Sequence, residues 1–110
     1  MLEVICVALA VYFESRGEIT AGQEAVASVV WNRRDDPRWP SDACEVIKQP
    51  NQFARITPPT DPIAWQKAVL AAKETRKSRT TKALFFATKG HHKNYIYLET
   101  IGNHEFFTAP

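Results

Sequence analysis

The chain has 110 residues, of which 45% are hydrophobic and 11% are aromatic. This size and composition predict a single globular domain over residues 1–110 that is just large enough for one hydrophobic core. Fourteen basic residues against twelve acidic ones give a net charge of only +2. So small a charge does not indicate a protein that binds nucleic acid, although it tolerates an anionic partner.

The first predicted helix is an apolar segment close to the start of the chain. Residues 4–13 form an unbroken apolar run, and Gly17 follows as a natural helix terminator. The run is about half as long as the roughly 20 residues needed to cross a bilayer. Glu3 stands where a signal peptide would carry a basic residue, and no cleavage-site pattern follows. We therefore expect a core helix over residues 2–16, with neither a signal peptide nor stable membrane insertion.

Three further helices are predicted from start signals and apolar periodicity. They cover residues 20–34, 42–48 and 62–77. Thr20 and Gln23 have the spacing of a capping box. Asp61 fits an N-cap, and Pro62 fits the first helical turn.

The last third of the chain changes from helical to strand-like composition. Residues 83–88 and 95–99 are rich in aromatic and β-branched side chains, and a third short strand is predicted over residues 105–108. The expected fold class is therefore α+β and mostly helical, with a small C-terminal antiparallel hairpin or sheet.

Glu14 is the strongest candidate for a catalytic residue. It follows the apolar run and should lie in the last turn of the first helix. The unpaired carbonyls at that helix end disfavour an additional anion, and apolar neighbours exclude the water that would solvate one. Both effects favour the protonated carboxyl group. Such a group can donate a proton to a leaving oxygen, as cleavage of a glycosidic bond requires.

Ordered short motifs along nearly the whole chain resemble the cell wall hydrolases of the SleB type. The matching residues are Tyr-Phe-Glu-Ser-Arg-Gly-Glu at 12–18, Gly22-Gln23, Ala25-Val26-Ala27, Val29, Asn32-Arg33, Pro40, Cys44, Val46-Ile47, Gln52-Phe53, Ala83-Leu84-Phe85-Phe86, Ile101-Gly102-Asn103-His104 and Phe106-Phe107. The resemblance implies a lysozyme-like fold related to lytic transglycosylases, cleavage of peptidoglycan glycan strands, and Glu14 as the catalytic glutamate.

Substrate binding is assigned to five side chains, namely Tyr12 beside Glu14, Gln23, Gln52, Phe53 and His104. Gln23 should point inward, where it either binds a sugar or caps a helix. Gln52 and Phe53 combine an amide with an aromatic ring in a loop, which suits a sugar but also a simple loop anchor. His104 follows a Gly-Asn turn that could aim it at the helical core, where we expect it to support the cleft floor or Glu14.

A second group of polar residues is assigned a supporting role. These residues are Arg16, Glu18, Asn32 and Asn103. Gly17 should break the helix before Glu18, so we expect Glu18 to turn away and pair with Arg16 or Arg33. Arg33 is alternatively expected to pair with Asp36.

One carboxyl group suffices for a lytic transglycosylase, which closes a 1,6-anhydro ring on muramic acid without water. This is the function we predict, with Glu14 as acid and base. A muramidase that uses Glu18 as a second carboxylate is one alternative. The other is a non-catalytic peptidoglycan-binding module with Trp31, Trp39, Phe53 and Tyr95 as stacking platforms. A zinc amidase is disfavoured because His91, His92 and His104 lack zinc-ligand spacing.

The expected setting of the protein follows from these assignments. We expect a monomer without metal or cofactor that acts on glycan strands at the cell wall. It would be either a phage lysin released through a membrane pore or a catalytic domain of a longer exported protein. Cys6 and Cys44 are expected to form a disulfide in an oxidising compartment or to remain as two buried thiols.

Overall fold

The computed structural model describes residues 1–50, 53, 57–90 and 94–110. The elements in chain order are α1 (Leu2–Ser15), α2 (Thr20–Asp35), α3 (Ala43–Lys48), α4 (Pro62–Thr75), β1 (Phe85–Thr88), β2 (Ile96–Ile101) and β3 (His104–Thr108). All four predicted helices and all three predicted strands are present, and each boundary lies within two residues of its prediction. None of the helices in the described segments is both long and apolar enough to cross a bilayer.

The hydrophobic core lies between the helices and is built largely from small aliphatic side chains. Val7 and Val11 of α1 and Val26 and Val30 of α2 are completely buried. Small side chains on both surfaces allow helices to approach each other closely. The largest buried side chain is Trp31 of α2, and its indole N–H donates to the carbonyl of Ala72 in α4 at 3.1 Å. The middle of α2, residues 25–31, is thus buried on all sides.

Aspartates cap the starts of α3 and α4. The Asp61 carboxylate accepts from the backbone N–H groups of Ile63 and Ala64, both at 3.1 Å. The Asp42 carboxylate accepts from the N–H of Cys44 at 2.7 Å. These bonds satisfy donors that the first helical turn leaves without intrahelical partners. The predicted cap at Asp61 is confirmed.

The predicted capping box at Thr20 is wrong. The N-cap of α2 is Ile19, one residue earlier, and no side chain caps this helix end. Gln23 is therefore one position too far into the helix to reach back to the N-cap amide. Its amide nitrogen instead donates to the carbonyls of Arg16 and Glu18, at 3.2 and 3.3 Å.

The cysteines form a disulfide, which decides between the two alternatives left open by the sequence. The sulfur atoms of Cys6 and Cys44 are 2.11 Å apart. The bond joins the first half of α1 to the start of α3, and both residues are buried in the core.

The sheet is antiparallel and has the strand order β1-β3-β2. The central strand, β3, carries Phe106, which is completely buried and belongs to the helical core. Strands β2 and β3 are joined by a tight turn at Gly102 and Asn103, and Gly102 has a φ of +59°. This is the left-handed backbone that glycine adopts without strain.

Candidate active site

Glu14 lies in the last turn of α1, as predicted, and is half-buried. The preceding residue, Phe13, packs edge-on against Tyr12 with ring centroids 4.9 Å apart. The helix ends at Ser15, and the N–H of Glu18 then donates to the Ser15 carbonyl at 2.9 Å. Glu14 therefore lies at a hydrogen-bonded helix end, in an environment that is only partly open to water.

Gly17 does not end α1 by the predicted mechanism. Among the described glycines, positive φ occurs only at Gly90 and Gly102, so Gly17 does not adopt the left-handed conformation of a typical C-terminal glycine. The chain instead continues through Arg16, whose φ of −63° is still helical. The Gln23 amide then binds the Arg16 and Glu18 carbonyls and closes the turn.

Gln23, a predicted sugar-binding residue, is thus part of the turn that follows Glu14. It is 4% exposed, and its amide nitrogen holds two backbone carbonyls. Its remaining surface lines a cavity of about 240 Å³ between α2 and α4, together with Glu24 and Glu74. This cavity does not include Glu14 among its lining residues. Contact between Gln23 and a sugar stays a prediction.

Tyr12, the other predicted substrate-binding residue of this segment, is 1% exposed. Its hydroxyl oxygen accepts from the N–H groups of Thr60 and Asp61, at 3.2 and 3.0 Å, and from Arg16 at 2.6 Å. Burial alone would raise the pKa of Tyr12, but the bonds from Asp61 and Thr60 and the charge of Arg16 lower it. The phenol therefore anchors the start of α4 to α1, and a substrate could reach it only if this packing opened.

Glu18 turns away from the helix, as expected, but its partner differs from both predicted ones. Its two carboxylate oxygens accept from the backbone N–H and the side-chain amide of Asn103, at 2.9 and 3.0 Å. Arg16 donates to Tyr12 instead. Asp36, the alternative partner predicted for Arg33, forms an ion pair with Arg38 at 2.9 Å.

His104 points toward the helical side of the sheet and is 8% exposed. Its ring lies edge-on to Phe86, with centroids 5.4 Å apart, and Phe86 lies 6.2 Å from Phe53. The Nδ1 atom of His104 is buried and has no hydrogen-bond partner among the described residues. A buried polar atom without a partner is uncommon in proteins and often marks a functional position. The structure thus brings two predicted substrate-binding residues, Phe53 and His104, against the same aromatic ring, that of Phe86.

Asn32 connects α2 to the segment that leads into β1. Its amide nitrogen donates to the carbonyls of Thr81 and Ala83, both at 2.9 Å. A single side chain thereby satisfies two backbone acceptors in a stretch without regular secondary structure. The predicted supporting residue lies at a junction between helices and sheet.

Arg33 is the residue whose importance the sequence did not reveal. It is 4% exposed, its Nε donates to the Leu84 carbonyl at 2.6 Å, and burial lowers its pKa to about 10. Its guanidinium lies 5.3–5.5 Å from the ring centres of Trp39, Phe53 and Phe85. Three aromatic rings around a buried cation form a cluster that orients Phe53.

One predicted stacking residue is inaccessible to a sugar, and three other residues of the sequence analysis lie outside the described residues. Trp31 is completely buried and cannot serve as a sugar-stacking platform. Gln52, His91 and His92 lie outside the described residues. Within the segments that the structure describes, no group of three or more potential ligands could hold a metal ion.

Comparison with known families gives one match over most of the chain. The family described as Cell Wall Hydrolase matches residues 17–107. The matched segment includes Glu18, Gln23, Asn32 and His104 and begins three residues after Glu14. The assignment of Glu14 therefore depends on its geometry and on the motif around it.

Curated relatives match over a shorter segment. The chain is 41% identical over 54 residues to the spore cortex-lytic enzyme of Halalkalibacterium halodurans and 39% identical over 54 residues to that of Bacillus subtilis. Each match covers 49% of this chain and 16% or 18% of the relative. The matched segment is thus less than a fifth of either relative's length.

Solved structures match over almost the entire chain. The catalytic domain of the germination-specific lytic transglycosylase SleB from Bacillus anthracis superposes with a TM-score of 0.77 at 31% identity, covering 96% of this chain and 93% of that one. The catalytic domain of the Bacillus cereus SleB protein gives 0.78 at 27% identity, with 96% and 89% coverage. The predicted lysozyme-like fold is confirmed by these neighbours.

Proposed function

Because the chain belongs to the cell wall hydrolase family, we propose that it degrades peptidoglycan by cleaving the bond between N-acetylmuramic acid and N-acetylglucosamine, with Glu14 as general acid and base. Its likeness to a lytic transglycosylase domain over 96% of the chain supports this bond as the target. Cleavage of a glycosidic bond needs a positioned proton donor, and Glu14 is a half-buried carboxyl group in the last turn of a helix.

The engagement of Glu18 is the observation that favours a transglycosylase. A hydrolase of the usual type needs two carboxyl groups about 5 to 9.5 Å apart. Glu18 is the nearest carboxylate to Glu14 in sequence, and both of its oxygens are bound by Asn103. This favours a mechanism that requires a single carboxyl group, with Glu14 as that group.

The proposed reaction has two proton transfers at Glu14. The carboxyl group first protonates the oxygen that bridges the sugars, and the bond from this oxygen to C1 of muramic acid breaks. The resulting carboxylate then takes the proton from the C6 hydroxyl of the same muramic acid, and the C6 oxygen bonds to C1. A 1,6-anhydro ring closes, no water is consumed, and Glu14 regains its proton.

Mass spectrometry of digested, purified peptidoglycan tests the reaction class. We expect muropeptides with anhydro ends, each lighter by one water than the product of hydrolysis. Digestion in oxygen-labelled water should leave these ends unlabelled. Reducing ends that carry the label would instead identify a muramidase and contradict the proposal.

Glu14→Gln tests the assignment of the acid. The glutamine keeps the shape of the side chain but cannot donate a carboxyl proton, so cleavage should fall by about 10²- to 10⁴-fold. Sedimentation with insoluble peptidoglycan should show unchanged binding. Glu45→Gln is a matched control, because Glu45 is exposed on α3 and pairs only with the surface residue Lys48 among the described contacts. Cleavage by Glu14→Gln at the parent's rate would refute the assignment.

The finer predictions about the setting belong to the same proposal. We propose that residues 1–110 act as one catalytic unit and as a monomer, which sedimentation velocity in solution tests. The predicted use as a phage lysin is tested by expression inside a bacterium with and without a pore-forming protein. Lysis that requires the pore supports that use.

A further inference from the structure

Glu18 connects two parts of the chain that are 85 residues apart in sequence. Its Oε1 accepts from the backbone N–H of Asn103, and its Oε2 accepts from the Asn103 side chain. Two parallel hydrogen bonds to a charged acceptor fix both distance and orientation. The turn between β2 and β3 is thereby held against the turn between α1 and α2.

Two glycines make room for this contact. A Cβ atom on Gly102 would collide with Oε1 of Glu18, and one on Gly22 would approach the Glu18 Cβ to 3.2 Å. Gly102 also has a positive φ, which side chains disfavour. We call Glu18, Gly22, Gly102 and Asn103 the clasp.

The clasp contains an ionised carboxylate. The backbone N–H and the side-chain amide of Asn103 hold the pKa of Glu18 below its ordinary value, and the nearby side chains of His104 and Lys89 lower it further by charge attraction. Protonation of Glu18 would remove an acceptor from both bonds. The clasp should therefore open only at a pH below the usual range for glutamate.

The clasp lies between two elements of the proposed active site. On one side, Glu18 is four residues beyond Glu14. On the other, Asn103 directly precedes His104, which packs on Phe86. The clasp thus joins the segment that follows Glu14 to the turn that precedes His104.

We propose that Glu18 is a positioning residue, which sets the position of His104 relative to Glu14 by holding the turn at Gly102 and Asn103. This inference rests on the proposed function of Glu14. A misplacement of about 1 Å between reacting groups can cost up to about 10²-fold in rate, so loosening the clasp should slow catalysis without altering the reaction.

The variants Glu18→Gln, Asn103→Ala and the double variant test this role. Peptidoglycan cleavage is measured with each protein held well below its own melting temperature, so that every sample is folded. Each single variant should lower kcat by about 10- to 100-fold, with unchanged binding to insoluble peptidoglycan and unchanged anhydro products. The double variant should be no slower than the slower single variant, because both changes act on the same contact.

The pH profile separates positioning from a general loss of stability. In Asn103→Ala the Glu18 carboxylate loses the bond from the side-chain amide and keeps only the bond from the backbone N–H, so it should protonate at a higher pH than in the parent. The acid side of the activity profile should accordingly shift upward. A variant that is only less stable would lower the melting temperature without moving this limb.

Three outcomes would be informative in different ways. If Glu18→Gln stops cleavage as completely as Glu14→Gln while Asn103→Ala cleaves like the parent, Glu18 takes part in the chemistry and the positioning role is overturned. If both single variants cleave like the parent, the clasp positions nothing and the inference also fails. If Glu14→Gln itself retains activity, it is the proposed function that fails, which this separate variant identifies.

Discussion

The helices and the sheet of this protein are held in place by different interactions. The helices α1, α2 and α4 pack through small aliphatic side chains, many of them completely buried. The sheet joins them through Phe106 and through individual polar contacts from Asn32, Arg33 and Glu18. Burial of apolar surface is non-directional, whereas hydrogen bonds fix particular positions. The helical part therefore supplies most of the stability, and the polar contacts decide where the site residues of the sheet lie.

Removing the disulfide should have the largest effect on stability and little on the chemistry. The bond closes a sequence separation of 38 residues within the helical part, so the double variant Cys6→Ala/Cys44→Ala should lose ~4 kcal/mol of unfolding free energy. Urea denaturation measures this loss. At a temperature where the variant is folded, its kcat should match the parent's, and a large drop in kcat would break the distinction between the two parts.

Asn32→Ala should have a smaller effect on stability and a clear effect on activity. It leaves the buried carbonyls of Thr81 and Ala83 without their described donor, which should cost about 2 kcal/mol. Because the same bonds set where β1 begins, kcat should also fall. Denaturation and cleavage assays on one sample compare the two losses, and unchanged cleavage would mean that this junction does not position the site.

Acidification should weaken the attachment of the sheet before it weakens the helices. The pKa of Glu18 is lowered in the folded protein, so its contribution to stability is complete above the unfolded-state pKa and is lost as the pH falls through the lowered folded-state value. Hydrogen exchange at decreasing pH should show the β2–β3 turn losing protection while α2 keeps it. Simultaneous loss in both would contradict a separate role for the clasp.

Chelation of metal ions should have no effect on the rate of cleavage. The proposed chemistry needs only the carboxyl group of Glu14, so EDTA should leave the rate of peptidoglycan cleavage unchanged. Inactivation that a divalent ion reverses would show that a metal takes part and would require a different mechanism.

The sequence predicted local features well because local interactions determine them. The Asp61 cap needs only the next three residues, and the apolar residues of α2 predict its buried part directly. The prediction of a capping box at Thr20 was wrong because the helix has its N-cap one residue earlier, at Ile19. This shift places Gln23 beyond reach of the N-cap amide. The contact of Glu18 with Asn103 could not be read from the sequence, since it depends on how the whole chain brings two distant turns together.

The candidate site shows the same division. Glu14 was found from its apolar run and the motif around it, both of which are continuous in sequence. The cluster of Arg33 with Trp39, Phe53 and Phe85 was missed, because its members come from four separate segments. The hydrogen bond from Arg33 to the Leu84 carbonyl joins α2 to the residue just before β1. This contact is visible only in the folded structure.

The link between Cys6 and Cys44 also has a consequence for where the protein matures. Thiols stay reduced in the cytosol and become oxidised in the cell envelope and outside the cell. A newly made chain in the cytosol would therefore lack this bond and be easier to unfold and degrade. The added stability of the disulfide would be gained only after the chain has entered an oxidising compartment.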